Sequence, residues 1–257
     1  MAELMDAYWR APPIARTAAT LTFAISIAVH MDILPMGFFV YDIRYLLRMP
    51  PQIWRPVTCF FITFPNLGIL IDTWQMYMYM SQLERGHPRL SRREDLVWYL
   101  IVMSGTILIL SHLSGFAYPI LTPALTLAMA YTVTQEQRGH TTNYIFMSIP
   151  SQLAPFAMMV MNLFFPNGVA IILMQLHGLA AAHLYLFLTK IWPDIGGGRN
   201  WLQTPAFIRS LVNGATPASQ SSAGARVPDT ASARSSGASR GPLPDSWRTR
   251  GPGHRLG

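Results

Sequence analysis

The stretch Leu96-Val-Trp-Tyr-Leu100-Ile-Val-Met-Ser-Gly105-Thr-Ile-Leu-Ile-Leu110-Ser-His-Leu113 carries no Asp, Glu, Lys or Arg, and the chain stays free of them onward to Pro123. A helix over 96–113 is about 27 Å long at about 1.5 Å per residue, close to the roughly 30 Å hydrocarbon core of a bilayer. A run of this length without charge reads as a transmembrane helix. Working outward, comparable apolar stretches lie at Thr17–Leu34, Val57–Met80, Tyr118–Val133, Tyr144–Phe165 and Val169–Leu188. The fold class they predict is an all-α membrane protein, a six-transmembrane helix bundle. The fourth stretch is short and holds Pro123 and several threonines, so five spans with one buried half-helix is the competing count. Composition points the same way. Apolar residues make up 51% of the chain and charged residues 12%, about half the share of roughly 25% usual in soluble domains.

The net charge of +7 invites a nucleic-acid reading. The basic residues, however, lie between apolar spans or in a Gly/Ser-rich tail, so a membrane lipid surface is the expected partner and nucleic acid is not. Their placement also orients the chain. Arg10 and Arg16 precede the first span, and Arg85, Arg89, Arg92 and Arg93 follow the second. Arg138 follows the fourth, and Lys190 with further arginines follows the sixth. The other side keeps Arg44, Arg48 and Arg55. The positive-inside rule then puts both termini in the cytosol. The first apolar run lies behind Arg10 and Arg16 and ends at Asp32 and Pro35 without a small-x-small cleavage site, so it reads as a retained span. Cys59 is the single cysteine, which excludes an intramolecular disulfide and reads as a small buried apolar residue.

The loop Pro35–Pro56 mixes Phe38, Phe39, Tyr41, Tyr45, Ile53 and Trp54 with Arg44, Arg48 and Arg55. That mixture suits a segment lying in the membrane interface. Beyond the last span, Asp194–Asn200 reads as a glycine-rich loop. Thr204-Pro205 reads as a helix start, with Thr as N-cap and Pro in the first turn, for a short amphipathic helix carrying Phe207, Ile208, Leu211 and Val212. The membrane domain thus covers residues 1–212. Residues 213–257 are Ser/Ala/Gly/Pro-rich with scattered arginines and read as a disordered tail.

Some residues stand out for chemistry. Trp54-Arg55 precedes the second span, where an indole at headgroup level and a snorkelling guanidinium account for the pair as interface anchors. In the sixth span Gly178 and Ala182 form a small-xxx-small stripe that lets another helix approach, and packing alone explains it. His177 and His183 are imidazoles within the same span. Their separation of six residues is not the i, i+4 pairing of a metal site, and no metal or cofactor is read from the sequence. Asp72 is the one carboxylate inside a predicted span. It reads either as a residue of the cytosolic third of that helix, facing the bundle and a polar partner, or as a wall of a polar cavity. Gln75, Gln152, Asn162 and Gln175 are candidates to share such a cavity.

The run Ala182-His183-Leu184-Tyr185-Leu186-Phe187-Leu188 is followed by Pro193-Asp194-Ile195-Gly196-Gly197-Gly198-Arg199-Asn200-Trp201-Leu202 and Thr204-Pro205. With Gln52-Ile53-Trp54-Arg55-Pro56 and Gln82-Leu83-Glu84 upstream, the chain resembles the Derlins, rhomboid-superfamily pseudoproteases of the endoplasmic reticulum membrane, over about residues 1–212. The resemblance implies a rhomboid-like six-span bundle and a non-catalytic role in retrotranslocating misfolded proteins during endoplasmic-reticulum-associated degradation. It implies as partners the misfolded substrates, an ubiquitin ligase complex of that membrane and further copies or other subunits. The family shows Gly-xxx-Gly in the sixth span where this chain has Gly178-xxx-Ala182, so the helices are expected to pack slightly further apart. An active rhomboid protease would need a Gly-x-Ser-Gly nucleophile at the fourth span. Thr122-Pro123-Ala124-Leu125-Thr126 stands there instead, and the nearest imitation, His112-Leu113-Ser114-Gly115, ends the third span. A proton-coupled transporter is the other rival, resting on Asp72 alone. The chain ends Gly251-Pro252-Gly253-His254-Arg255-Leu256-Gly257. This is similar to the SHP box with which Derlin tails recruit the valosin-containing-protein AAA ATPase. Gly251, Gly253, Arg255 and Leu256 match it, while Thr249 stands where the box has an aromatic.

Overall fold

Pro12-Pro13 opens the first long helix, since proline is preorganised for a first turn and its missing N–H would have no helical partner there. The computed structural model describes residues 2–46, 49–90, 92–116, 118–137, 139–144, 147–196 and 202–214. A short helix α1 (Ala2–Arg10) leads into α2 (Pro13–His30). The first loop carries a 3₁₀ turn at Met36–Phe38 and the short helices α3 (Ile43–Leu46) and α4 (Arg55–Thr58). Then follow α5 (Leu67–Gly86), α6 (Arg93–Leu113) and α7 (Thr122–Glu136). A hairpin of β1 (Thr141–Tyr144) and β2 (Met147–Pro150) precedes α8 (Ala154–Asn162). The last long helix, α9 (Gly168–Leu186), runs through a π-helical turn at Phe187–Ile191 into α10 (Trp192–Gly196). Finally α11 (Ala206–Gly214) packs on α6.

Two helices are long and apolar enough to cross a membrane, α6 and the continuous stretch Gly168–Ile195. The core gathers around α7. Every residue from Thr122 to Thr134 except Tyr131 is buried. Its neighbours are α9, α5, α8 and α6, while α2 packs on α5. The α2 face that packs inward is a helical stripe of Ala15, Ala19, Thr22, Ser26 and Val29. Threonines are tolerated in α7 because their hydroxyls are satisfied. Thr122 donates to the Ile62 carbonyl, Thr126 to that of Thr122 (3.0 Å), and Thr132 meets Tyr99 OH (2.9 Å). The stretch that looks least like a span in sequence is therefore the most enclosed helix in the fold.

Helix bounds depart furthest from the expected ones in the second and fifth stretches. The second helix does not begin at Val57 but at Leu67. Pro65 disfavours helix at the residue before it, and the backbone between is satisfied by neighbours. Thr63 N–H donates to Ser26 Oγ (3.1 Å), the Thr63 carbonyl meets His30 Nε2 (2.9 Å), and Leu121 N–H donates to the Cys59 carbonyl (3.1 Å). Irregular backbone survives at such depth only when buried in protein, and Cys59, Phe60, Ile62 and Thr63 are all buried. The fifth stretch, expected as one span over 144–165, divides into the hairpin strand, a 3₁₀ turn at Ser151–Leu153 and the nine-residue α8. Pro150 and Pro155 explain it, since a helix through 144–165 would hold both in its interior. Asp194–Gly196, expected as loop, is helical within α10, with Pro193 in its first turn. Gly197–Trp201 and everything after Gly214, including the expected disordered tail and its motif, lie outside the described residues.

Candidate functional site

The first loop is built around Arg55. Its side chain does not snorkel to water; the residue is only 4% exposed. Nε donates to Gln52 Oε1 (2.5 Å), Nη1 donates to the Val40 carbonyl (2.7 Å), and the guanidinium stacks 4.1 Å from the Tyr45 ring centroid. Arg55 thus ties the end of the loop to its beginning, and Tyr41 N–H, donating to the Pro119 carbonyl (3.1 Å), ties the loop to the α6–α7 connection. Trp54 is half-exposed, and Met36, Phe38, Ile53 and Val57 of the same loop region are exposed too, apolar surface suited to lipid.

At the α7–α9 seam Gly178 faces the backbone of Ala124. A Cβ placed on Gly178 would come within 2.8 Å of the Ala124 carbonyl carbon and closer still to its oxygen. Ala182, one turn on, is fully buried. His183 is exposed at its side chain and shares a hydrogen bond with Tyr131 OH (3.2 Å). His177 pairs with the Leu173 carbonyl (2.8 Å) and lies edge-on to Tyr118. The pairing of a serine with His183 as base, which a protease of the rhomboid kind would need, is not made by Ser114. Ser114 ends α6, whereas the Tyr99–Tyr185 ring contact (4.9 Å) sets the His183 region beside the start of α6. Fifteen residues of helix separate these levels by about 22 Å.

Asp72 occupies the second turn of α5, at the end opposite Gln82–Arg85 and not in the third of the helix adjoining them, as the sequence reading had it. It lines a cavity of about 290 Å³ between the start of α5 and the α8–α9 turn, with Asn66, Gly68, Asn162, Phe165 and Asn167. Asp72 Oδ2 is buried and has no hydrogen-bond partner among the described residues. Asn162 Nδ2 donates to the buried Gln175 Oε1 (3.0 Å), and Gln75 is buried one turn beyond Asp72. The structure thus brings Asp72, Asn162, Gln175 and Gln75 to one region. Gln152 does not join them. It is exposed on the 3₁₀ turn ahead of α8, while Asn162 closes that helix.

Two cavity residues escaped the sequence reading, Asn66 and Asn167, which precede α5 and α9 with φ of 61° and 60°. Asparagine is one of the few residues that tolerates this region. Their signal was a repeated corner, Phe64-Pro65-Asn66 and Phe165-Pro166-Asn167, each just ahead of a glycine-containing helix start. The cavity can receive polar backbone or side-chain groups at the level where the helices begin. Among the described residues no three His, Cys, Asp or Glu side chains converge as metal ligands would.

Comparison with known proteins agrees with the motifs. The Der1-like family model matches residues 11–206. Derlin-1 of Arabidopsis thaliana is 30% identical over 203 residues, covering 78% of this chain and 74% of its own length. Derlin-1.2 of Zea mays is 26% identical over 246 residues, covering 94% and 97%. Human Derlin-1 is 25% identical over 214 residues, covering 81% and 82%.

Proposed function

We propose that this chain, which belongs to the Der1-like family, is a non-catalytic rhomboid-type protein of the endoplasmic reticulum membrane that helps carry misfolded proteins across it for degradation. The observation that carries this reading beyond family membership is the cavity at the α5/α8–α9 corner, whose largely apolar wall holds Asn66, Asn162, Asn167 and Asp72, the last with one oxygen unpartnered among the described residues. The Phe64 backbone hydrogen-bonds the Asp72 carboxyl, but Oδ2 has no partner among the described residues, and a buried carboxyl oxygen at membrane depth gains from a donor brought by a ligand. A polar polypeptide segment offers what the cavity lacks, amide and cationic donors for Asp72, Asn162 and Asn167.

Helix lengths support the same reading. At about 1.5 Å per residue, α8, with Phe156 and Val160 exposed, is about 14 Å long, against a hydrocarbon thickness of roughly 30 Å. A short exposed helix beside an amphipathic first loop thins the bilayer locally and lowers the barrier to a polar chain. In this arrangement the chain passes the membrane six times with both termini in the cytosol. The tail residues Gly251, Gly253, Arg255 and Leu256 recruit an AAA ATPase of the valosin-containing-protein type that pulls the substrate, and an ubiquitin ligase complex marks it. The exposed His183, paired with Tyr131 and not with a nucleophile, fits a pseudoenzyme.

Asp72→Leu tests the cavity. Replacing a buried carboxyl that has one oxygen without a partner among the described residues by an apolar group of similar size should leave the thermal stability nearly unchanged, while turnover of a misfolded reporter slows severalfold. Unchanged turnover would sink the proposed role. Removing Gly251–Gly257 should abolish co-purification of the ATPase and leave the fold intact.

A further inference from the structure

A second cavity, of about 380 Å³, lies where the α1–α2 junction meets the α5–α6 turn. Arg10, Arg85, Arg92 and Arg93 line it, together with Trp9. Glu84 is the one acid in its wall, and both of its oxygens are committed. Oε1 accepts from Ile14 N–H (3.3 Å) and Oε2 from Ala15 N–H (2.9 Å), so Glu84 serves as the N-terminal cap of α2 from another helix. Among the described residues the one ion pair is Lys190–Glu136, so none of the four guanidiniums is matched by a carboxylate. The Arg85 side chain donates to the Arg10 carbonyl (3.3 Å), which holds the two walls together.

The place of this cavity is as informative as its charge. Arg93 is the first residue of α6, one of the two helices able to cross a membrane, so the arginines stand at the level where the bilayer begins. Trp9 is 63% exposed, and Arg16 stacks 4.5 Å from its ring centroid while donating to its carbonyl, which fixes an indole at the same level. Exposed Met5 and Tyr8 extend the apolar edge. Concentrated positive charge beside an interfacial tryptophan, above an acyl region, matches a lipid whose headgroup bears an anionic phosphate. Guanidinium forks bind phosphate oxygens in pairs, and basic pockets at helix ends are where anionic headgroups lodge.

We infer that the Arg10–Arg85–Arg92–Arg93 cavity is a binding site for the anionic phosphate headgroup of a membrane lipid. The inference is independent of the substrate cavity at Asp72, from which it differs in place and charge. The test is native mass spectrometry of the full-length chain in detergent, offered dioleoyl phosphatidic acid or dioleoyl phosphatidylcholine. The expected result is preferential retention of phosphatidic acid, weakened about tenfold in Arg10→Gln/Arg92→Gln/Arg93→Gln, a loss of the order that removing several interfacial arginines implies. Arg89→Gln/Arg209→Gln, at the adjoining cavity between the α5–α6 turn and α11, should retain it. If the triple variant fails to fold, Arg10→Gln/Arg92→Gln, both exposed, gives the same reading. Equal retention of the two lipids, or full retention by the arginine variants, overturns the site. Preference for inorganic phosphate, or for a poly-glutamate peptide, over phosphatidic acid assigns the arginines to a soluble anion or an acidic protein and overturns the lipid.

Discussion

At position 178 a single hydrogen decides how close α7 and α9 lie, because the space a Cβ would fill holds the Ala124 backbone. Gly178→Val should therefore separate the two most closely joined helices and cost about 3 kcal/mol or more, the upper end of overpacking. Thermal unfolding in detergent checks it, and wild-type stability in that variant would show that the seam is looser than it looks. His87 makes a different kind of demand. It is buried at the end of α5, its Nδ1 accepts Arg89 N–H (3.3 Å), and its Nε2 has no hydrogen-bond partner among the described residues. Burial lowers its pKa most; Glu136 opposes that, and Arg89 and Lys190 lower it further. Between that lowered value and about 6.5 the unfolded chain holds more proton at this position than the folded one. The stability His87 contributes is complete above about pH 6.5 and is lost as pH falls through the folded value. Melting temperature should drop on acidification, and His87→Gln should flatten the drop. An equally steep profile in the variant would assign the effect to other groups.

Individual elements show where local signals were sufficient. The charge-free run read as a span is α6, its helix beginning a turn earlier at Arg93. The last long helix, α9, was equally legible, from the mostly apolar stretch behind Gly168. Bounds went wrong where prolines act. Pro65 and Pro150 were visible in the sequence, yet average hydropathy carried two spans across them. The mostly buried segment Cys59–Thr63 is the clearest product of this, a stretch as apolar as a helix but held in turns and irregular backbone, tied to Ser26, His30 and Leu121. It yields a prediction suited to a chain with one cysteine. Cys59 is fully buried, so a membrane-permeant maleimide should leave it unlabelled in the native protein and label it once denatured. Val57→Cys in a Cys59→Ala background, at an exposed position, should label in both states. Rapid native labelling of Cys59 would mean that the segment opens to lipid or water.

For the whole molecule, the distribution of arginines predicts that tags on the two termini share one side of the membrane. Protease digestion of sealed microsomes should remove both tags or neither, and loss of one alone would break the six-pass arrangement. The Arg55 clamp and the α7 core belong to this scale as well, since each joins segments far apart in the chain. Arg55 was singled out in the sequence, but its burial and its bond to Val40 followed only from how the first loop folds back. The grouping of Asp72 with Asn162 and Gln175, and the exclusion of Gln152, likewise arose from the corner where α5 meets the α8–α9 turn.

What the sequence determined by itself was the solvent of this protein and its family. Hydropathy acts residue by residue and along one helix, so an uncharged run of sufficient length needs no partner to declare a membrane. The motifs at Trp54-Arg55 and from Ala182 to Pro205 are local strings that carry the family. Only the tertiary structure decided which apolar stretch is enclosed and which faces lipid, because both environments select the same side chains. It alone decided which polar groups meet, because a buried carboxylate is defined by the partners it has or lacks, and those come from other helices.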